Sequence, residues 1–154
     1  MTDERGLPAN VDAERTILGA MLMDNGYMSQ LAMLEVEDFA LQSNRTIFFH
    51  MRDMAEYGFS IDIVTLSDSL RNENELESVG GSPYLFSLTE GLPRRPAIKD
   101  YVRIVKAKSL QRQLIVACET ALDSAYGGVS GFQIIATLRA RMDEIETAAR
   151  GKKA

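Results

Sequence analysis

"IDIVTLSDSLRNENELESVGG", residues Ile61 to Gly81, opens with Ile61, Ile63, Val64 and Thr65 in quick succession, a composition typical of β-strands. It then turns acidic and amide-rich and closes on a glycine pair. A strand feeding a glycine turn, the reading helix and wing of a DNA-binding module, and a plain helix would each send the fold a different way. The apolar residues do not alternate. Ile63, Leu66 and Leu70 recur at steps of three and four, Asp62 stands where an N-cap belongs, and Thr65 with Asp68 offers a second capping option. The stretch therefore reads as a helix whose β-branched first turn carries only a modest propensity penalty, which packing can override. Leu76 and Val79, in the connector before the glycines, are expected to fold back onto the core.

The rest of the chain agrees with a helical domain and argues against several functions. Its 154 residues suffice for one domain with a real core, at 45% hydrophobic and 25% charged residues with four prolines. No apolar run reaches the roughly 18–20 residues of a membrane span, and no basic-then-apolar leader opens the chain. A single cysteine allows no internal disulfide, so a reducing, cytoplasmic setting is expected. The formal net charge of −5 disfavours a surface devoted to phosphate backbones and favours protein partners.

No catalytic constellation emerges. His50, the only histidine, lies between Phe49 and Met51 and reads as a packed helix residue. Cys118 has no His or Cys at metal-ligand spacing and reads as a small core residue on an apolar helix face. Gly151-Lys152 has no strand before it and no helix after it, so it cannot form a phosphate loop. The expectation is a non-enzyme with no cofactor and no metal.

Along the chain, Asn10 can cap a first helix with Asp12 and Glu14 in its first turn and Ile17, Leu18, Met21 and Leu22 on its apolar face. Gly19 within it predicts a close helix contact. "DNG" at residues 24–26 breaks this helix, and Tyr27 to Leu34 suggests a short second one. Ser43 can cap a third carrying Ile47, Phe48, Met51, Met54 and Ala55 and ended by Gly58. "GSPYLFSLTEG" reads as a further short helix with Ser82 as cap, Pro83 in the first turn and Gly91 beyond its end. The predicted head core comprises Ile17, Leu18, Met21, Leu22, Phe39, Ile47, Phe48, Met51, Ile63, Leu66, Leu70, Leu85 and Phe86.

The last third differs. From Pro96 no breaker appears until Gly127-Gly128, roughly 30 residues or about 45 Å of helix. One apolar line runs through Ala107, Leu110, Leu114, Ala117 and Ala121, another through Ile115, Cys118, Leu122 and Ala125. Together they span roughly 160° of the helix, against about 100° for an ordinary surface helix. Ser130 can cap a final helix with Ile135, Leu138, Met142, Ile145 and Ala149 at heptad spacing. The two helices predict a hairpin, and one partner helix does not cover 160°. The fold expected is thus all-α: a compact multi-helix head at 7–95, a long C-terminal helical hairpin at 96–150, and a tail or linker start at 151–154. The candidate interface residues are Leu110, Leu114, Ile115, Cys118, Leu122, Ala125, Ile135, Leu138, Met142 and Ile145.

Four phrases, "LPANVDAERTILGAMLMDN", "DFALQSNRTIFFHMRDMAEYGFSIDIVTLSDSL", "LESVGGSPYLFSLTEGLP" and "AIKDYVRIVKAKSLQRQLI", occur in the order and spacing of one family. They resemble the N-terminal domain of DnaB-type replicative DNA helicases, over about Leu7 to Arg150. The resemblance implies an all-α head followed by a helical hairpin, pairing of hairpins between subunits, and a collar built as a trimer of dimers. It also implies docking of a DnaG-type primase or a helicase loader, and a catalytic ATPase beyond a linker that would begin about where this chain stops. The first residues suggest a true N-terminus. "LPRRPAIKDY" and the glycine-rich "YGGVSGF" depart from the family pattern near surfaces that meet partners.

Other readings remain open. A free-standing adaptor of the same fold, and the related helicase-binding domain of primases, share the helical pattern. A helix-turn-helix regulator would use Ile61–Leu70 and the Gly80-Gly81 turn, but Asp62, Asp68, Glu73, Glu75 and Glu77 stand where Arg and Lys are needed. Arg94, Arg95, Lys99 and Arg103, followed by Lys106, Lys108 and Arg112, form a basic cluster that suits a solvated helix face, an acidic partner, or a weak contact with single-stranded DNA.

Overall fold

A computed structural model describes residues 6–151, which contain helices and turns and no strands. The helices are α1 (Val11–Met23), α2 (Gln42–Glu56), α3 (Ile63–Asn72), α4 (Gly81–Ser87), α5 (Ile98–Tyr126) and α6 (Gly131–Arg150), with 3₁₀ turns at Asn25–Leu31 and Val36–Asp38. Two compact units divide inside α5. One is Ala9–Val105; among the described residues the other comprises 6–8 and 106–151.

The opening stretch is helical, for the reason its spacing suggested. Asp62 Oδ1 accepts the Thr65 N–H at 2.8 Å, while Thr65 Oγ1 accepts the Asp62 N–H at 2.9 Å, a reciprocal capping box. Leu66 and Leu70 are fully buried, and Leu76 and Val79 are buried after them. Asn74, at φ 58°, ends the helix: its N–H bonds the Arg71 carbonyl and the Glu75 N–H bonds the Leu70 carbonyl.

In the first unit α1 packs on α2, α2 on α3, and α3 on α4. Phe39 and Phe48 stack at 4.8 Å between centroids in a core with Ile17, Leu18, Met21, Ile47 and Met51. Gly19 is required by a close approach. A Cβ there would lie 2.0 Å from the Leu88 carbonyl oxygen. Asn10 caps α1 through the Ala13 N–H at 3.0 Å.

Polar groups that periodicity does not display tie these helices together. Glu14 is buried, and its two oxygens accept from the Ala40 N–H at 2.8 Å and Asn44 Nδ2 at 3.0 Å. Asn44 Oδ1 in turn accepts the Tyr84 hydroxyl at 2.5 Å, so one chain of bonds joins α1, α2 and α4. Asn25 pairs both ways with the Ile61 backbone, at 2.7 Å each, and anchors the segment leading into α3. Among the described residues no buried side-chain N or O lacks a hydrogen bond, as a low-dielectric interior demands.

Several expectations are corrected. Ser43 lies inside α2, whose N-cap is Leu41 with no side-chain bond; Arg45, one turn into the helix, donates to the carbonyls of Phe39 and Ala40 in the segment that leads into it. Tyr27–Leu34 is a 3₁₀ turn that ends at Leu31. α4 begins at Gly81 behind Gly80, not behind Ser82, and α5 begins at Ile98, two residues after Pro96. Phe86 is exposed, since on so short a helix Leu85 takes the inward position and the next residue turns about 100° away. Leu22 and Ile63 are only half-buried, packed against the core from its edge.

Truncating the fully buried Phe48 to Ala is predicted to cost about 3–5 kcal/mol in denaturant titration. A loss below about 1 kcal/mol would contradict this core. Gly19→Ala should destabilise as well, although Ala is the better helix former.

Candidate interaction surface

In the second unit α5, from Lys106, and α6 form a hairpin around a four-residue turn at 127–130. The turn is closed by backbone chemistry. Gly128 adopts φ 81°, the Gly128 N–H bonds the Ala125 carbonyl at 3.3 Å, and the Val129 N–H bonds the Ser124 carbonyl at 3.0 Å. That is a Schellman ending, which needs a left-handed residue where Gly128 stands. Ser130 occupies the N-cap of α6 without a side-chain bond. Arg112 donates to the Pro8 carbonyl at 2.9 Å, fixing the N-terminal strap on α5.

Little of the hairpin's apolar surface is covered. Ala117 and Ile145 are buried, and Leu110, Ile115, Ala121, Ile134, Leu138 and Met142 are half-buried. Leu114, Cys118, Leu122 and Ala125 are exposed, Leu122 at 56%. On α6 Ile135 is 52% exposed and Phe132 88%, and Tyr126 and Val129 stand exposed at the turn between them. A groove of about 410 Å³ runs between the helices, walled by Val116, Ala117, Thr120 and Ala121 on α5 and by Ile134, Thr137 and Leu138 on α6.

The ten candidate residues therefore separate. Leu114, Cys118, Leu122, Ala125 and Ile135 face outward, Ile145 seals the hairpin, and Leu110, Ile115, Leu138 and Met142 lie at the seam's edge. Two readings change. Cys118 is exposed rather than part of a core, because the buried line of α5 follows Ala117 and Ala121 about 90° away. The inward line of α6 begins at Ile134 rather than Ile135, which keeps a four-residue step to Leu138. Phe132, Tyr126, Val129 and Val116 escaped notice because they sit off any apolar stripe. For Tyr126 and Phe132 an aromatic beside the glycine turn was the only signal, and Val116 and Val129 carried none.

The remaining candidates lie in the other unit. Arg94, Arg95 and Lys99 are exposed in the connector and first turn of α5, and Arg103 pairs with Asp100. His50 is buried with Nδ1 2.7 Å from Ser69 Oγ and Nε2 3.0 Å from Glu75 Oε1, which links α2 to the end of α3. Among the described residues no cluster of three His, Cys, Asp or Glu could hold a metal, and no helix is long and apolar enough to cross a membrane. Lys152 of the Gly-Lys pair, and most of the 151–154 tail, lie outside the described residues.

An all-α head joined to a two-helix hairpin with an outward apolar face is the arrangement to compare with known proteins. Residues 6–107 match the model of the DnaB-like helicase N terminal domain. The chain belongs to that family. The replicative DNA helicase DnaB of Treponema pallidum (strain Nichols) is 31% identical over 145 residues, 93% of this chain and 33% of that protein. The DnaB of Buchnera aphidicola subsp. Baizongia pistaciae (strain Bp) is 32% identical over 123 residues, 78% of this chain and 26% of that protein. The chain thus spans about a quarter to a third of the length of these curated relatives. The crystal structure of the N-terminal domain of DnaB helicase from Mycobacterium tuberculosis superposes with a TM-score of 0.84 at 26% identity, over 90% of this chain and 99% of that one. A DnaB-like replicative helicase, solved in a study of its interactions with primase, shares the fold at a TM-score of 0.72 and 23% identity, over 89% of this chain and 31% of that one.

Placing a charge at Ile145 (Ile145→Glu) is predicted to unravel the hairpin and reduce helix content by circular dichroism. Leu122→Glu, on the outward face, should leave the spectrum unchanged. Equal losses from both would show that the two residues are not divided in this way.

Proposed function

We propose that the chain is a non-catalytic collar domain of a replicative DNA helicase, whose hairpin, residues 96–150, mediates self-association and receives a primase or a helicase loader during DNA replication. The observation that carries this reading is that Leu114 and Leu122 on α5 and Ile135 on α6 are all exposed on the hairpin. Large apolar side chains exposed together on one element of this size suit a protein interface. Family membership supports the assignment to replication, and the helicase solved with attention to primase supports a primase as partner. A self-complementary hairpin most simply forms a two-fold dimer, and three dimers would close a ring in a full helicase. Nucleotide hydrolysis would reside in a motor domain outside this segment, and the setting would be the cytoplasm. Arg94, Arg95, Lys99 and Arg103 would add at most a weak, salt-sensitive contact with single-stranded DNA or an acidic partner.

Light scattering across concentration tests the self-association. Wild-type protein should show a mass above the monomer's by hundreds of micromolar, and Leu122→Glu should remain monomeric while folded. A strict monomer for wild type would remove self-association, and failure to capture a cognate primase or loader in a pull-down would remove the docking role.

A further inference from the structure

Exposed apolar side chains also gather in the Ala9–Val105 unit, at the corner where α2 gives way to α3. Tyr57, Phe59 and Val64 are 72%, 66% and 77% exposed there. The backbone beneath them is tied down. α2 ends in a Schellman motif: with Gly58 at φ 77°, the Gly58 N–H bonds the Ala55 carbonyl at 3.1 Å and the Phe59 N–H bonds the Met54 carbonyl at 2.9 Å. A residue in the place of Phe59 commonly packs back on its own helix, yet here the ring stands in solvent. Thr65 Oγ1 donates to the Ser60 carbonyl at 2.9 Å, which holds the first turn of α3, Val64 included, beside the loop. With the Asn25 bonds to Ile61, every residue from Gly58 to Asp62 has a backbone group engaged.

The surroundings of this corner are acidic throughout. From Asp53 to Leu70 the sequence holds four carboxylates, Asp53, Glu56, Asp62 and Asp68, and no Lys, Arg or His. All four are exposed. Asp53 lies one turn before Tyr57 and Asp68 one turn after Val64, the spacing of neighbours on a helix face. We propose that the corner docks a basic, extended segment of a partner protein. Its Arg or Lys side chains lie over the Tyr57 and Phe59 rings, and its aliphatic side chains cover Val64. Aromatic faces attract cations, and the carboxylates steer the same cations toward the rings. Those carboxylates repel phosphate, which argues against a stacking platform for nucleic acid and against an anchor in an anionic membrane surface. Because the backbone is already fixed, docking orders little beyond two rings with two rotatable bonds each.

Fluorescence anisotropy with a labelled peptide of alternating arginine and leucine tests the site. Wild-type protein should bind it saturably, more weakly as salt rises, and should not bind the matching glutamate–leucine peptide. Tyr57→Ser with Phe59→Ser leaves the net charge unchanged and should weaken binding about tenfold or more. Circular dichroism should stay unaltered, because both rings are exposed. Asp53→Asn with Glu56→Gln should weaken binding several-fold, whereas Glu73→Gln with Glu77→Gln, beyond the far end of α3, should not. Equal effects from the two charge pairs, or full binding by the double serine variant, would show attraction by bulk charge alone and overturn the site. So would a wild-type protein that binds no peptide. An oligothymidylate probe and light scattering cover the other occupants. Oligonucleotide binding that the serine variant loses would assign the corner to nucleic acid, and a fall in that variant's mass would assign it to a second copy; either overturns the proposal. Leu122→Glu should bind the peptide as wild type does, so the fate of the hairpin's proposed role does not decide this one.

Discussion

A pair of helices can hide only the stripe each turns toward the other, and the hairpin carries more apolar surface than that. α5 is buried along Ala117 and half-buried along Ala121, small residues that let α6 approach closely but contribute little area. The larger groups, Leu114, Leu122, Phe132 and Ile135, lie outside that seam. Water must meet them or another protein must. A partner surface is the lower-energy arrangement, and the proposed function follows from that imbalance.

The Ala9–Val105 unit solves the opposite problem. Its helices are short, and none would hold alone in water. It gains stability from a core in which Phe39, Phe48, Leu18, Leu66 and Leu85 are closed to solvent, and from polar groups matched one to one. The Glu14–Asn44–Tyr84 chain shows what that matching requires. A buried carboxylate is costly unless each oxygen has a donor, and here a backbone amide and a side-chain amide supply them. Removing Asn44 would strip a donor from Glu14 and an acceptor from Tyr84 together, so these positions are coupled rather than additive.

Helix periodicity made the architecture readable. Ile63, Leu66 and Leu70 fixed α3 as a helix, Gly19 announced a close contact, and the glycine pair at 127–128 marked the end of α5. Helix starts were less legible. Ser43 and Ser82 look like caps, but α2 and α4 begin earlier, behind Leu41 and Gly80, neither of which offers a side-chain cap, and Gly80 takes the left-handed φ of 112° that leads into α4. Long-range polar pairs such as Asn25 with Ile61 leave no periodic trace at all. In the hairpin, the width of the apolar face was visible, but which half faced inward was not. Two stripes of equal hydrophobicity differ only in residue size. The smaller side chains at Ala117 and Ala121 turned in because close helix packing favours them.

The central claim is that another copy of the chain covers the outward face of α5. Methyl NMR followed across protein concentration tests it most directly, residue by residue. The account predicts that the methyl resonances of Leu114 and Leu122 shift with concentration, while those of Leu18, Leu66 and Leu85, sealed in the other unit, stay fixed. Unchanged Leu114 and Leu122 methyls from the lowest concentration to hundreds of micromolar would contradict it, as would shifts confined to the head.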